Sequence, residues 1–177
     1  MDMKYKEAIK QGMDLLAKNP MTIFLGYNVK YDGKANGMLR DVPEAQLFET
    51  PVAENLMVGL AIGMSLENYF PVVYFERFDF MLNALDAIIN HLEKIEQMSQ
   101  KEYCPKVLIR AVIGNKNMPL FTGLTHTQDF TEGLSKLVKF PVIKLPYNSE
   151  KILQIYQDSV IGNHIIVEEK DAYDIEC

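Results

Sequence analysis

Tyr5, Ala8, Ile9, Met13 and Leu16 recur at intervals of three and four before Asn19-Pro20, which predicts an amphipathic helix over residues 5–18 and a turn after it. Met21 to Tyr27 is a short apolar run of strand formers, and the polar stretch behind it, with Asp32-Gly33 and Gly37, reads as a loop. A brief extended piece at Leu47 to Glu49 leads to Thr50-Pro51, where a capping Thr and a Pro in the first turn predict a helix to about Asn68. Pro71 to Glu76 predicts a strand. From Phe80 to about Gln97, the spacing of Leu82, Leu85, Ile88, Ile89, Leu92 and Ile95 predicts one long amphipathic helix, with Glu93-Lys94-Glu96 on its solvated face. Lys106 to Val112 reads as a strand, Gly114 to Gln128 as a loop, Phe130 to Val138 as a helix and Pro141 to Leu145 as a strand. Ser149 is expected to cap a helix with Ile152, Ile155, Tyr156 and Val160 inward, and Ile165 to Val167 supplies the last strand. Strands alternating with crossover helices predict a three-layer α/β/α fold with a mainly parallel sheet covered on both faces. No repeat or linker interrupts the pattern, so residues 1–177 read as a single domain, at about 150 residues per domain.

Composition narrows the function classes. Apolar residues at 48% and charged residues at 24% are ordinary for a globular protein and argue against disorder, collagen and coiled coil. Eighteen Lys and Arg against 24 Asp and Glu leave a charge of −6, the wrong sign for binding nucleic acid or an anionic membrane surface. The longest largely apolar stretch, Leu56 to Leu66, falls well short of the roughly 20 residues that span a bilayer. Met1-Asp2-Met3-Lys4 lacks the form of a secretory signal, and Cys104 and Cys177 are too few for a disulfide framework or a zinc site. A cytoplasmic protein is the expectation.

The familiar chemical motifs are missing. The ten glycines are never closer than four residues apart, which excludes G-x-G-x-x-G, and there is no G-x-x-x-x-G-K-[ST]. If the chain handles a phosphorylated cofactor, another chain holds the phosphates. His91, His126 and His164 form no ligand-spaced pair, so no metal site is predicted. No G-x-S-x-G elbow appears, and Cys104 has no activating neighbour in sequence.

What stands out is the helix that begins near Glu54. Its segment LMVGLAIGMSL carries no charge and is apolar all round, with Gly59 and Gly63 on one face. Such a helix is expected to be buried on every side, most simply by packing its outer face on another chain. Glu54 shares a face with Met57, Val58 and Ala61, and a carboxyl group entering an apolar interface is expected to titrate high and to hold a proton near neutral pH. The bland alternative, an acid favourable to the helix dipole, has equal weight at this point. His126, in Gly-Leu-Thr-His-Thr-Gln, lies on a loop where parallel strands present ligand-binding groups, although a loop histidine is more often simply solvated. Phe75, Phe78 and Phe80 mark a strand end passing into a helix, where aromatics usually serve the core. His91 and His164 read as structural.

In this order the segments resemble the pyrimidine-binding domain of thiamine diphosphate enzymes, most closely the N-terminal half of the beta subunit of 2-oxo acid dehydrogenases. The resemblance runs from YKEAIKQGMDLL at Tyr5 through IFLGYNVKYDG at Ile23, and is strongest over Thr50 to Asn90. It implies that Glu54 hydrogen-bonds the N1′ nitrogen of the aminopyrimidine and that Phe80 stacks on that ring. Val52 would line the same pocket. His126 is similar to the active-site loop histidine of these dehydrogenases, of transketolases and of deoxyxylulose phosphate synthases. Thiamine diphosphate is then the cofactor, with Mg2+ and diphosphate held by a separate alpha-like subunit in an α2β2 assembly, and the substrate a small carbonyl compound.

Two departures qualify the resemblance. The sequence stops soon after its last strand, whereas beta subunits and transketolases continue into a further C-terminal domain. Glu76 and Arg77 bring charge to the expected pocket, which points to a polar or sugar-like substrate. The sequence therefore predicts the pyrimidine-binding subunit of a split thiamine diphosphate enzyme, inactive alone, that decarboxylates a 2-oxo acid or transfers a ketol or acyl group. The alternative is a non-catalytic interaction or regulatory subunit that keeps the fold.

Overall fold

The computed structural model describes residues 3–31, 33–117 and 123–177. Helix α1 (Tyr5–Ala17) buries Tyr5, Ala8, Ile9, Met13 and Leu16, the stripe its spacing predicts, and Glu7 reaches back to accept the Lys4 amide at 3.1 Å. Strands β1 (Thr22–Gly26) and β2 (Leu47–Glu49) follow, then α2 (Glu54–Leu66) and β3 (Phe70–Phe75). The second half holds α3 (Ile95–Met98), β4 (Leu108–Ile113), α4 (Thr131–Ser135), β5 (Val142–Lys144), α5 (Ser149–Asp158) and β6 (His164–Glu169). All pairings in the six-stranded sheet are parallel and the order is β2-β1-β3-β4-β6-β5. The three-layer parallel architecture expected from the alternation is therefore present. Every residue of β3 and β4 is buried, which is why these central strands read as near-continuous apolar runs.

The two sides of the sheet bury different things. On one side Phe24, Val72, Leu108 and Ile166 pack beneath α1 and α5. Among them lie two buried charges: Arg110 Nε and Nη2 each stand 2.7 Å from Glu168 Oε1, and the Tyr156 and Tyr173 hydroxyls donate to Glu168 at 3.1 Å. The guanidinium sits 5.1 Å from the centroid of the Tyr74 ring, and burial beside Glu168 pushes the Tyr156 and Tyr173 hydroxyls well above their usual range. On the other side Leu25, Val73, Phe75, Ile109, Ala111 and Ile165 meet Met57, Val58 and Ala61 of α2 in a purely apolar cluster.

Five local readings are corrected. The predicted helix over Phe80–Gln97 is instead a 3-10 helix (Phe78–Ala84), a π-turn (Ala87–Leu92) and the short α3. Within the 3-10 helix the apolar inward residues Phe78, Met81 and Ala84 fall every three positions, the repeat of such a helix, while Leu82 is turned outward. Glu93 belongs to no solvated face, because its side chain is 4% exposed and accepts the Lys139 amide at 3.0 Å. Helix α2 starts at Glu54, not at Pro51, so Thr50 caps nothing and its buried hydroxyl has no hydrogen-bond partner among the described residues. Asn148, not Ser149, caps α5 by accepting the Lys151 amide at 2.9 Å, and Val160 lies beyond the helix, exposed.

Helix α2 is not buried on every side within the chain. Met57, Val58, Ala61 and Ile62 face the sheet, while Leu56 is 53% and Leu66 40% exposed, with Gly59 and Gly63 bare between them. Among the described residues no helix is long and apolar enough to cross a membrane.

Candidate functional site

The carboxyl ends of β1 and β3 and the start of α2 converge on one small cleft. Gly26 closes β1 with a positive φ of +152°, and a Cβ there would come within 2.6 Å of the Tyr74 carbonyl oxygen. Only glycine lets β1 pass so close to β3. Tyr27 follows, then Asn28 in the left-handed region at φ +66°. This turn is held from β2: Glu49 Oε1 accepts the Asn28 amide at 2.7 Å, and Oε2 accepts those of Val29 at 3.0 Å and Lys30 at 2.8 Å. Three amides on one carboxylate make charge-assisted bonds that fix where Tyr27 leaves the sheet. The Thr50 amide donates to the Gly26 carbonyl at 3.0 Å, and the chain then carries Val52 and Glu54 to the opposite wall.

The resulting cleft has a volume of about 130 Å³ and is lined by Tyr27, Val52, Glu54, Met57, Tyr74, Phe75, Glu76 and Phe80. Val52, Glu54 and Phe80, expected to meet a cofactor ring, and Glu76, expected at the same pocket, thus border one space. Glu54 is the first residue of α2 and half-buried, and its carboxyl group makes no hydrogen bond or ion pair among the described residues. Phe75 belongs to the core, as its spacing suggested, but Phe80 is only half-buried and turns its ring into the cleft.

His126 does not line the cleft; it stands behind Phe80, ring edge to ring face, with centroids 5.0 Å apart at 85°. It ends a 3-10 turn (Gly123–His126) within the expected loop, of which residues 118–122 lie outside the described residues. The His126 carbonyl accepts the Gly114 amide at 3.1 Å, and a Cβ at position 114 would overlap that oxygen. The same bare position admits the Arg77 side chain, whose Cδ lies 3.3 Å from where that Cβ would be. Arg77 is buried and donates to the Glu76 carbonyl at 2.6 Å. Burial, then the positive charge of Arg77, hold the Lys170 ammonium below its usual range.

Sequence spacing missed Tyr27 and Glu49. Tyr27 is the last residue of the predicted strand and the first beyond the observed one, a position that alone could have marked it. Glu49 acts across some twenty residues, and no local pattern carries that. His91 is exposed beside Asp86 at 3.4 Å, and His164 is buried in β6, both remote from the cleft. Among the described residues no group of three or more His, Cys, Asp or Glu side chains could hold a metal ion.

No family model matches this sequence. Individual proteins do. The mouse mitochondrial pyruvate dehydrogenase E1 component subunit beta is 26% identical over 167 residues, covering 92% of this chain and 45% of the mouse protein. The corresponding subunit of Saccharomyces cerevisiae is 28% identical over 153 residues, covering 84% of this chain and 41% of its own length. The chain thus spans less than half the length of these relatives. Among solved structures, a split-gene transketolase, described as an inactive beta4 tetramer, superimposes with a TM-score of 0.64 at 16% identity over 96% of this chain and 52% of its own. A thiamin diphosphate-dependent enzyme assigned in Mycobacterium smegmatis gives 0.68 at 13% identity over 98% of this chain and 32% of its own. The similarity to E1 beta subunits and the transketolase-like fold agree with the resemblance read from the sequence.

Proposed function

We propose that this chain is one pyrimidine-binding domain, the beta-like part of a split thiamine diphosphate-dependent enzyme that works on a 2-oxo acid or a ketose. The observation that carries the proposal is the convergence of Glu54, Val52, Glu76 and Phe80 on a single cleft. At about 130 Å³ it is smaller than the roughly 300 Å³ at which sites for whole small-molecule ligands begin. It suits one ring of a ligand whose remainder is held elsewhere, and the sequence has no phosphate-cradling motif for the rest. A separate alpha-like subunit would hold the diphosphate and its Mg2+, and the uncovered outer face of α2, next to the cleft, is where a second chain would pack in an α2β2 assembly.

When bound, thiamine diphosphate supplies the nucleophile and the electron sink for cleaving a bond beside a carbonyl. The chain's own residues bind and orient it. Glu54 donates a proton in a hydrogen bond to ring nitrogen N1′, Phe80 covers the ring face, and Val52 and Tyr27 exclude water. His126 lies beyond Phe80, where it can stabilise developing charge on the substrate or move a proton. Glu76 gives the cleft a charged wall suited to an oxygen-rich substrate.

The test is Glu54→Gln in the chain co-purified with its diphosphate-binding partner. We expect turnover to fall at least about 100-fold, as for loss of a group that moves or holds a proton, with the assembly intact by sedimentation. Undiminished turnover would remove the mechanism. The exposed Leu56–Leu66 face also favours a second reading, a regulatory or interaction subunit without cofactor. Calorimetry of the reconstituted complex with thiamine diphosphate separates the two, because only the first predicts binding.

A further inference from the structure

The 3-10 helix Phe78–Ala84 starts with three consecutive residues that point about 120° apart, since such a helix turns once every three residues. Each meets one of three alternate residues downstream of β4. The Phe78 ring packs edge-on against Phe130, with centroids 5.6 Å apart, Asp79 Oδ1 accepts from Gln128 Nε2 at 2.7 Å, and Phe80 meets His126. The intervening Asp129 is drawn elsewhere, to Lys144 Nζ of β5 at 3.1 Å and to the Thr131 hydroxyl at 2.6 Å.

The middle contact differs in kind from its neighbours. Two ring edges can slide and still touch, but a short bond to a carboxylate is directional. Asp79 is 8% exposed, and its second oxygen, Oδ2, is buried with no hydrogen-bond partner among the described residues. Gln128 is therefore the one side chain among them that satisfies this carboxyl group, and releasing it would leave a buried acceptor pair unmet. The His126 backbone is fixed by Gly114, and the direction of the chain leaving it is fixed two residues on by Asp79.

We propose that the Asp79–Gln128 hydrogen bond is a latch that seats His126 against Phe80, which makes Asp79 a positioning residue for that histidine. The inference rests on the reading above only in giving His126 a catalytic task; the latch itself does not require the cofactor.

It is tested on residues 1–177 by the nuclear Overhauser contacts between the His126 imidazole and the Phe80 ring. Gln128→Glu sets carboxylate against carboxylate and should abolish those contacts. Asp79→Asn keeps an acceptor for Gln128 and should retain them. Combining Asp79→Asn with Gln128→Glu reverses the bond, with an amide donating from the 3-10 helix to a carboxylate on the loop, and should restore what Gln128→Glu removes. Gln128→Leu, which adds no charge, should weaken them also and serves if the charged variant does not fold. Unchanged contacts in Gln128→Glu or Gln128→Leu, or no restoration in the folded double variant, would overturn the latch. In the complex with the partner subunit, Gln128→Glu should lower kcat about 10- to 100-fold with little change in KM, the scale of a misplaced catalytic group. Lost ring contacts with kcat intact would support the latch and overturn the catalytic role of His126, so the two failures are distinguishable.

Discussion

The two sides of the sheet are finished to different degrees. Beneath α1 and α5 the chain closes on itself: Tyr5, Tyr74, Tyr156 and Tyr173 surround the Arg110–Glu168 pair, and the whole group is buried. Beneath α2 the cluster is built of apolar side chains, and the helix that covers that side is itself half uncovered, with Leu56, Gly59, Gly63 and Leu66 outward. Two glycines state the contrast. A Cβ at Gly12 of α1 would overlap the buried ring of Tyr156, whereas one at Gly63 of α2 would meet nothing within 4 Å. At Gly12 the helix is packed tightly on its neighbour within the chain, and at Gly63 there is room. The candidate site opens beside the unfinished side.

The largest effect expected from breaking this contrast is at the buried pair. Arg110→Met alone strands Glu168 and should cost about 3–5 kcal/mol in urea unfolding, while Arg110→Met with Glu168→Leu should recover most of the loss. Equal destabilisation by the single and double variants would show that the charges are not coupled. Gly12→Ala should follow, at about 1–3 kcal/mol, through overpacking against Tyr156. Gly63→Ala should do the opposite, raising the stability of the chain alone by roughly 0.5–1 kcal/mol because a bare helical glycine gains a better helix former. A destabilised Gly63→Ala would mean that the outer face of α2 is covered after all. Smallest in stability is Leu56→Glu, within about 0.5 kcal/mol for an exposed position, yet it should weaken association with the partner subunit in sedimentation.

How much of this could be read from the sequence follows from the range of the forces involved. The strands were legible because a central parallel strand is apolar on both faces, as in FPVVYF and LIRAVI. The α1 stripe was legible because one helix face is buried and the other wet. The helix expected over Phe80–Gln97 differs from the structure because two periods coexist there: Leu82, Leu85 and Ile89 suggest an α-helix, while the inward Phe78, Met81 and Ala84 follow a repeat of three. The cap of α5 was misplaced by one residue, within the ordinary uncertainty of helix ends. In the candidate site Glu54, Phe80, Val52 and His126 came from the family resemblance together with their place at strand and helix ends, and Glu76 from a departure from it. Glu49, Asp79 and Glu93 escaped because each satisfies amides or an amide side chain from 19 to 49 residues away, and such pairing leaves no periodic trace.

The small cleft has a consequence for any binding measurement. It begins at the first turn of α2, whose uncovered face is the proposed seat of another chain, so docking and ligand capture would favour each other by mass action. A dilute sample and a concentrated one would then report different apparent dissociation constants for the same small molecule. That difference would itself gauge how firmly the neighbouring polypeptide is held.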